Sequence, residues 1–392
     1  VRLLARLLTV AVILGLIPAG EPLAAQSSLF GVRGLGTPGR PLMPGSIATG
    51  GSFGLFDGES DLNPAAVADL STVTAQFILA PSWRHWETPA GTASLRGTRF
   101  PLFNVGGPIP GSRFALGLSF GSYADRDFRL ATHDTITLRE VQVPVYDTLT
   151  SLGGLNEVRL AAAYRASPST TLGAAFYVIT GSSRLTAHRA FGDSTYTELQ
   201  QSSELAYRGV GVSVGVTHRL SSAIEVAALI RSDGKATVDR DSSRVYSVDL
   251  PYTFGAAIRI HPSSRLAVAG SGLYRTWSAA NSDLLQQGGV GARNTLELGL
   301  GGEYIRDTRR PSTLPIRFGV RYAQLPFPLS VGGKPSEVSV AVGTANRFAQ
   351  DRAGIEITLE HAWRKQGSAY KERAFSLTFG LSIRPYGAAR SR

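Results

Sequence analysis

From about residue 72 onward, apolar side chains alternate with polar or small ones at a period of two, in segments of about a dozen residues or more. No other feature constrains the fold as tightly. In "GVGVSVGVT", Val210, Val212, Val214 and Val216 point one way, while Gly209, Gly211, Ser213, Gly215 and Thr217 point the other. In "FALGLSF", Phe114, Leu116, Leu118 and Phe120 share one face; in "PIRFGVRY", Ile316, Phe318, Val320 and Tyr322 oppose Arg317, Gly319 and Arg321. "TLELGLGGEY", "GIEITLEHAW" and "AFSLTFGLSIRPY" repeat the pattern. Such alternation places the two sets on opposite faces of a sheet.

A soluble sandwich and a membrane barrel both alternate. Sandwich strands are usually about five or six residues long, and these segments are longer. The second face mixes Gly, Ser and Thr with charges of both signs, as a water-filled or plugged lumen does. Segments of about ten residues, apolar outside and polar inside, separated by turns, are the signature of an outer-membrane barrel. Counting segments gives about fourteen, an even number as bacterial barrels require: 72–86, 93–105, 112–128, 154–167, 170–187, 204–220, 223–241, 246–262, 264–280, 292–308, 314–326, 336–348, 353–366 and 373–386. The expected fold is therefore all-β, a transmembrane antiparallel barrel over 71–386. "SPST" (167–170), "LSSA" (220–223) and "HPSS" (261–264) read as periplasmic turns, and the polar links near 129–153, 188–203 and 281–291 as extracellular loops.

The N-terminus reads as an export signal. Arg2 and Arg6 precede an apolar run, Leu7–Ile17, and "PAGEPLAAQ" supplies small residues for cleavage after Ala25. The run is short for a membrane helix, and no later stretch is long and apolar enough for one. Residues 1–25 are thus assigned to a signal peptide, 26–70 to a non-alternating, Gly-rich segment that must lie against something, and 387–392 to a tail.

Composition narrows the function. The chain has 44 Gly, 17 Phe and 13 Tyr, and no Cys, which removes disulfides, zinc–thiolate sites and cysteine nucleophiles. The net charge of +11 comes mainly from Arg. These are spread singly along the chain and form no nucleic-acid motif, so no nucleic-acid partner is expected. On the predicted inward face lie Arg113, Glu157, Arg159, Glu225, Arg259, Glu297, Glu303, Arg317, Arg321, Glu337, Glu356, Glu360 and Arg384. As a set they make a polar wall able to hold a plug, although any one exposed pair contributes only about 0–1 kcal/mol.

Catalytic patterns fail on context. G-x-S-x-G surrounds Ser52, Ser119 and Ser213, but a nucleophile elbow needs a strand, a sharp turn and a helix. Ser119 and Ser213 fall inside alternating strands. "GLGTPG" (34–39) lacks the strand–loop–helix frame of a dinucleotide site. No metal-ligand spacing occurs, and neither enzyme activity nor a cofactor is predicted.

"GGSFGLFDGESDLNPAAVADL" (Gly50–Leu70) contains a helix start, with Asn63 as cap and Pro64 at the first helical position. An exported chain with this Gly-rich stretch, then Asn63-Pro64-Ala65, then about fourteen strands resembles the FadL-type outer-membrane transporters of long-chain fatty acids and other hydrophobic compounds. Ala66 stands where Gly is common in that family. "PIRFGVRYAQLPF" and "KERAFSLTFGLSIRP" also resemble its relatives in type IX secretion. The closing "GAARSR" departs from barrels that end at an aromatic residue. The resemblance implies that the segment carrying Asn63, Pro64 and Ala65 folds inside the barrel as a hatch. It also implies passive uptake of a fatty-acid-like or other hydrophobic small molecule. A monomer is expected, surrounded by outer-membrane lipid and inserted by the barrel assembly machinery. A sideways exit to lipid needs a break in strand pairing, and Gly117 and Gly121 are the candidates. The alternative function is a non-transporting barrel that docks a secretion or assembly partner.

Overall fold

The computed structural model describes residues 28–384, apart from 90, 241–242 and 310–312. The signal-peptide and C-terminal-tail assignments lie outside the described residues. Fourteen antiparallel strands close into one barrel. They are β1 (Thr74–Thr88), β2 (Gly91–Arg99 and Leu102–Pro108), β3 (Phe114–Asp125 and Phe128–Leu138), β4 (Val141–Arg165), β5 (Thr170–Phe191), β6 (Leu199–Arg219) and β7 (Ile224–Ser232 and Lys235–Arg240). They continue as β8 (Ser243–Asp249 and Tyr252–Ser263), β9 (Leu266–Arg275), β10 (Thr295–Tyr304), β11 (Ile316–Gln324), β12 (Ser336–Phe348), β13 (Ala353–Gln366) and β14 (Tyr370–Ile383). β14 registers against β1, Phe375 opposite Trp83, which closes the cylinder.

Closure follows from the alternation. On β3 the side chains of Phe114, Leu116, Leu118 and Phe120 are about half exposed, whereas Ala115, Gly117 and Ser119 are buried toward the lumen. The pattern recurs around the barrel, as on β5, β8, β11 and β12. The result is a continuous apolar exterior far beyond the patch size that water tolerates, and lipid is its natural solvent. Trp83, Phe375, Trp363, Tyr322 and Tyr274 stand on the outer face, toward the end opposite the short turns, where amphipathic rings suit a membrane interface.

Four strands are interrupted, at 100–101, 126–127, 233–234 and 250–251. Pro101 and Pro251 lack the N–H a ladder needs, and Gly234 takes φ +62°. Two of the links expected as loops are not loops. Residues 129–153 form a hairpin whose strands meet at a turn of Arg139 and Glu140, both at positive φ. In the 188–203 region only 192–198 leave the sheet. β4, β5 and β6, at 25, 22 and 21 residues, extend well beyond the ~9–11 residues that span a bilayer. Outside the lipid both sheet faces meet water, so Thr, Ser and Arg alternate there without an apolar partner face. The segment 281–291 opens with a helix, Asn281–Gln286, that folds over the mouth.

The N-terminal segment, 28–70, lies within the barrel. Its elements are a single 3-10 turn at Leu29–Gly31, α1 (Pro44–Ala48), a longer 3-10 helix over Pro64–Asp69, and a strip, Thr37–Pro38, that pairs with Asp125 and Ala124 of β3. α1 packs on β11, β12 and β13, and the 3-10 helix on β4, β5 and β6, so the segment bridges opposite walls.

Candidate functional site

The polar cap read from the sequence is present as a cap. Asn63 Oδ1 accepts from the Ala65 N–H at 3.1 Å, and its Nδ2 donates to the Leu55 carbonyl at 2.8 Å. Asn63 and Ala65 are fully buried. A 3-10 helix of six residues is marginal in water. Here it rests in a groove that the wall leaves for it. A side chain at Gly173 would collide with the Ala65 backbone nitrogen, and one at Gly215 with Asn63 Oδ1. Across the lumen, Gly319 admits the Thr49 backbone just after α1.

Gly117 and Gly121 do not break their strand. Gly117 pairs with Gly106 and Ala161 on either side, and Gly121 with Leu102 and Glu157. Gly117 instead faces Val67, whose methyls lie 3.5 Å from where a Cβ would stand, an ordinary van der Waals contact. The irregularity begins one residue beyond Gly121. The β3–β4 register shifts between Ser122 and Ala124, and β2–β3 pairing stops at Leu102–Gly121. Above that point one backbone bond, Ser122 N–H to the Pro101 carbonyl at 3.0 Å, crosses the seam; Gly91–Arg99 then registers against β1 and Phe128–Leu138 against β4, with no register pair across the β2–β3 seam among the described residues. The Arg99–Asp125 ion pair, at 2.6 Å, spans it.

The inward charges assemble into three groups. The first is a girdle on seven consecutive strands, β9 to β14 and β1: Arg275, Glu297, Arg321, Glu337, Arg364, Glu372 and Arg84, each paired with the next. Glu372 reaches inward as well, accepting from Ser28 Oγ at 2.8 Å and the Leu29 N–H at 2.8 Å. Glu360 belongs to the same wall and accepts from Arg40 at 2.8 Å. The second group lies nearer the short turns. Arg317 bonds Glu303 at 2.6 Å and Glu356 at 3.1 Å, Arg384 bonds Glu59 at 2.7 Å, and Arg259 bonds Glu225. Glu356 also accepts the Gly45 N–H at 2.9 Å.

The third group is the most buried. Arg159 and Ser119 both bond the carboxylate of Asp61. Beside them, Glu157 and Asp233 hold Arg231, whose guanidinium lies 3.8 Å from the Tyr177 ring centre. Arg113 stands apart: it is exposed and lines a cavity at the short-turn end. Sequence reading missed Asp61, Arg84, Arg231, Asp233, Arg275, Arg364 and Glu372. The strand members share parity with inward residues already named: Glu372 lies in step with Arg384, Arg364 with Glu356 and Glu360, and Arg231 with Glu225. The alternation that found their neighbours could have found them. Asp61 lies outside any strand and carried no such signal.

Ser119 bonds Asp61, Ser213 bonds the Tyr177 hydroxyl at 2.9 Å, and Ser52 donates to the Thr49 carbonyl at 2.7 Å. None of the three has a histidine partner among the described residues.

At the long-strand end, Trp277, Phe327, Leu35, Tyr207, Val238 and Val248 form an apolar cluster inside the mouth, with Tyr123 packed against it. Trp277 meets Phe327 edge-on at 5.1 Å. The Asn281–Gln286 helix covers it, anchored by Asp283, which accepts the Asp249 N–H at 2.9 Å. At the short-turn end lie two cavities of about 300 and 660 Å³, separated by Phe56 and Asp69. Glu59 lines the smaller. Burial pushes its carboxyl up to about 7, with Glu356 and Asp57 adding to the shift against Arg384 and Arg347.

These features define a class: a closed fourteen-stranded β-barrel whose own N-terminal segment packs against its wall strands. Solved structures share the fold. The CymD monoaromatic hydrocarbon channel matches at 16% identity and TM-score 0.53, over 89% of this chain and 98% of that one. A Pseudomonas aeruginosa FadL homologue matches at 14% and 0.55, over 89% and 98%. The P. putida toluene transporter TodX matches at 13% and 0.55, over 88% and 99%. The chain has the FadL-type fold. No protein-family model and no curated protein matches its sequence.

Proposed function

We propose that the protein is an outer-membrane channel for passive uptake of hydrophobic small molecules, with residues 28–70 as its hatch. The observation that carries this reading is the position of the N-terminal segment. It packs across the barrel with bonds that can be exchanged, directly beneath an aromatic-rich apolar cluster at the mouth. A simple porin would leave a water path, and an inert barrel would need no such apolar cluster at its mouth. An apolar molecule entering at Trp277 and Phe327 would meet Leu35 of the segment next. The proposed lateral route is the sparsely paired β2–β3 seam above Gly121, with the Thr37–Pro38 strip as the piece that must leave β3. The hydrocarbon-channel folds above support the substrate class. The channel acts as a monomer, because its apolar exterior is fully used by lipid. A deletion strain tests the proposal: uptake of labelled fatty acids and of aromatic hydrocarbons should fall and return on complementation, and unchanged uptake refutes it.

One observation favours the docking alternative. The polar sheet built from the outer ends of β3 to β6 projects well beyond the membrane and offers the free edge strand Phe128–Leu138. Native mass spectrometry of gently solubilised protein separates the readings: a channel carries apolar ligand, and a docking barrel carries a stoichiometric envelope protein.

A further inference from the structure

The larger cavity at the short-turn end, about 660 Å³, lies under the 3-10 helix and along the inner ends of β3 to β7. Three arginines line it: Arg113, Arg165 and Arg219. Arg219 is paired with Glu225 at 3.2 Å, but Glu225 is already held by Arg259. Arg165 spends one bond on a neutral acceptor, the Ala68 carbonyl at 2.6 Å. The Arg113 side chain has no hydrogen-bond or ion-pair partner among the described residues; only its backbone carbonyl is engaged, by the Arg165 N–H at 2.9 Å. Asp69 is the remaining carboxylate of the lining, so positive charge is in excess. Ser167 and Ser169, on the turn between β4 and β5, add hydroxyls 3.2 Å apart. Phe56, Ala166 and Pro168 are the apolar part of the lining, and Thr171, Thr217 and His218 complete it.

Guanidinium groups recognise oxyanions by charge-assisted, often paired hydrogen bonds. The volume is that of a small-molecule site and far exceeds an inorganic ion. We infer that this cavity binds the oxyanion head of an amphiphile, a carboxylate or a phosphate, with Arg113 and Arg165 on the head and Phe56 and Pro168 against the apolar body. Two sources offer that chemistry: a phospholipid of the inner leaflet, which the short turns face, and a free organic acid. The site is separate from the apolar cluster at the mouth, and its binding is measured without transport, so it stands or falls apart from the channel reading.

The test is calorimetric titration of the full chain in non-ionic detergent with octyl phosphate, octanoate, octanol and inorganic phosphate. Saturable binding of octyl phosphate and octanoate, but not octanol, is expected. Arg113→Ala should weaken it about tenfold, and Arg113→Lys should recover part of the loss. Because Arg113 is exposed and unpaired, heat-modifiable gel mobility should be that of the parent, which separates binding from folding. Competition by inorganic phosphate marks the phosphate head as the preferred ligand, and octanoate binding tighter than octyl phosphate marks the free acid. Octanol binding as tightly as octanoate, or equal affinities in the parent and Arg113→Ala, overturns the inference.

Discussion

The guanidinium of Arg159, on the wall strand β4, bonds the carboxylate of Asp61, on the N-terminal segment, and each is only 1% exposed. This pair joins the two parts of the molecule at its driest point. Removing one partner strands the other charge, which typically costs about 3–5 kcal/mol, whereas replacing both with matched apolar residues can be nearly neutral.

Asp61→Ala should therefore unseat the N-terminal segment, raise single-channel conductance in planar bilayers and leave the barrel folded by heat-modifiable mobility. The double change Asp61→Leu with Arg159→Met should restore a conductance near the parent's. Equal conductance for the single variant and the parent contradicts the role of the pair.

Asn63→Ala removes a cap that typically contributes about 0.5–2 kcal/mol to its helix. Pro64→Ala loosens the fixed first position. Both should leave strand content unchanged by circular dichroism and increase the frequency of channel openings. Openings at the parent's frequency would mean that these residues do not hold the segment.

Gly173→Ala and Gly117→Ala form a contrasting pair. A Cβ at Gly173 meets the Ala65 backbone, which cannot yield, while one at Gly117 comes no nearer than 3.5 Å, to a Val67 methyl. The first should open the channel and the second should not. If conductance is the same for both, the groove does not seat the segment.

Glu59 supplies a pH dependence. Its carboxyl is raised from 4.5 to about 7 by burial, then by Glu356 and Asp57. A carboxyl raised in the seated state favours that state when protonated. Seating is therefore strongest below the ordinary carboxyl value, weakens as pH climbs toward about 7, and levels off above it. Conductance should rise from about pH 5 to about pH 8, and Glu59→Gln should flatten the profile. A parent profile that is flat or falls with pH contradicts the assignment.

The barrel was legible because its code is local. Side-chain parity on β3, β11 or β13 can be read from a few neighbouring residues, and it fixed strand number and inward face together. Loop positions were less legible, because outside the lipid Thr, Ser and Arg can alternate in a sheet or fill a loop with equal ease. The site was half legible. Asn63 and Pro64 announce a cap in their own neighbourhood, but Asp61 gains its meaning from Arg159, 98 residues away. Gly117 and Gly121 were read through what glycine does to a strand. It is at Gly173 that the missing side chain serves what packs on the strand, a long-range property that one sequence does not display.

The central claim is that the N-terminal segment must move before a hydrophobic molecule can pass. The chain has no cysteine, so an introduced pair is unique. A Val67 methyl lies 3.5 Å from where a Cβ at Gly117 would stand, within disulfide reach. The measurement is entry of a labelled aromatic hydrocarbon into proteoliposomes carrying the Val67→Cys, Gly117→Cys double variant, oxidised and then reduced. The account predicts arrest in the oxidised form and recovery on reduction. Equal entry in both forms would contradict it.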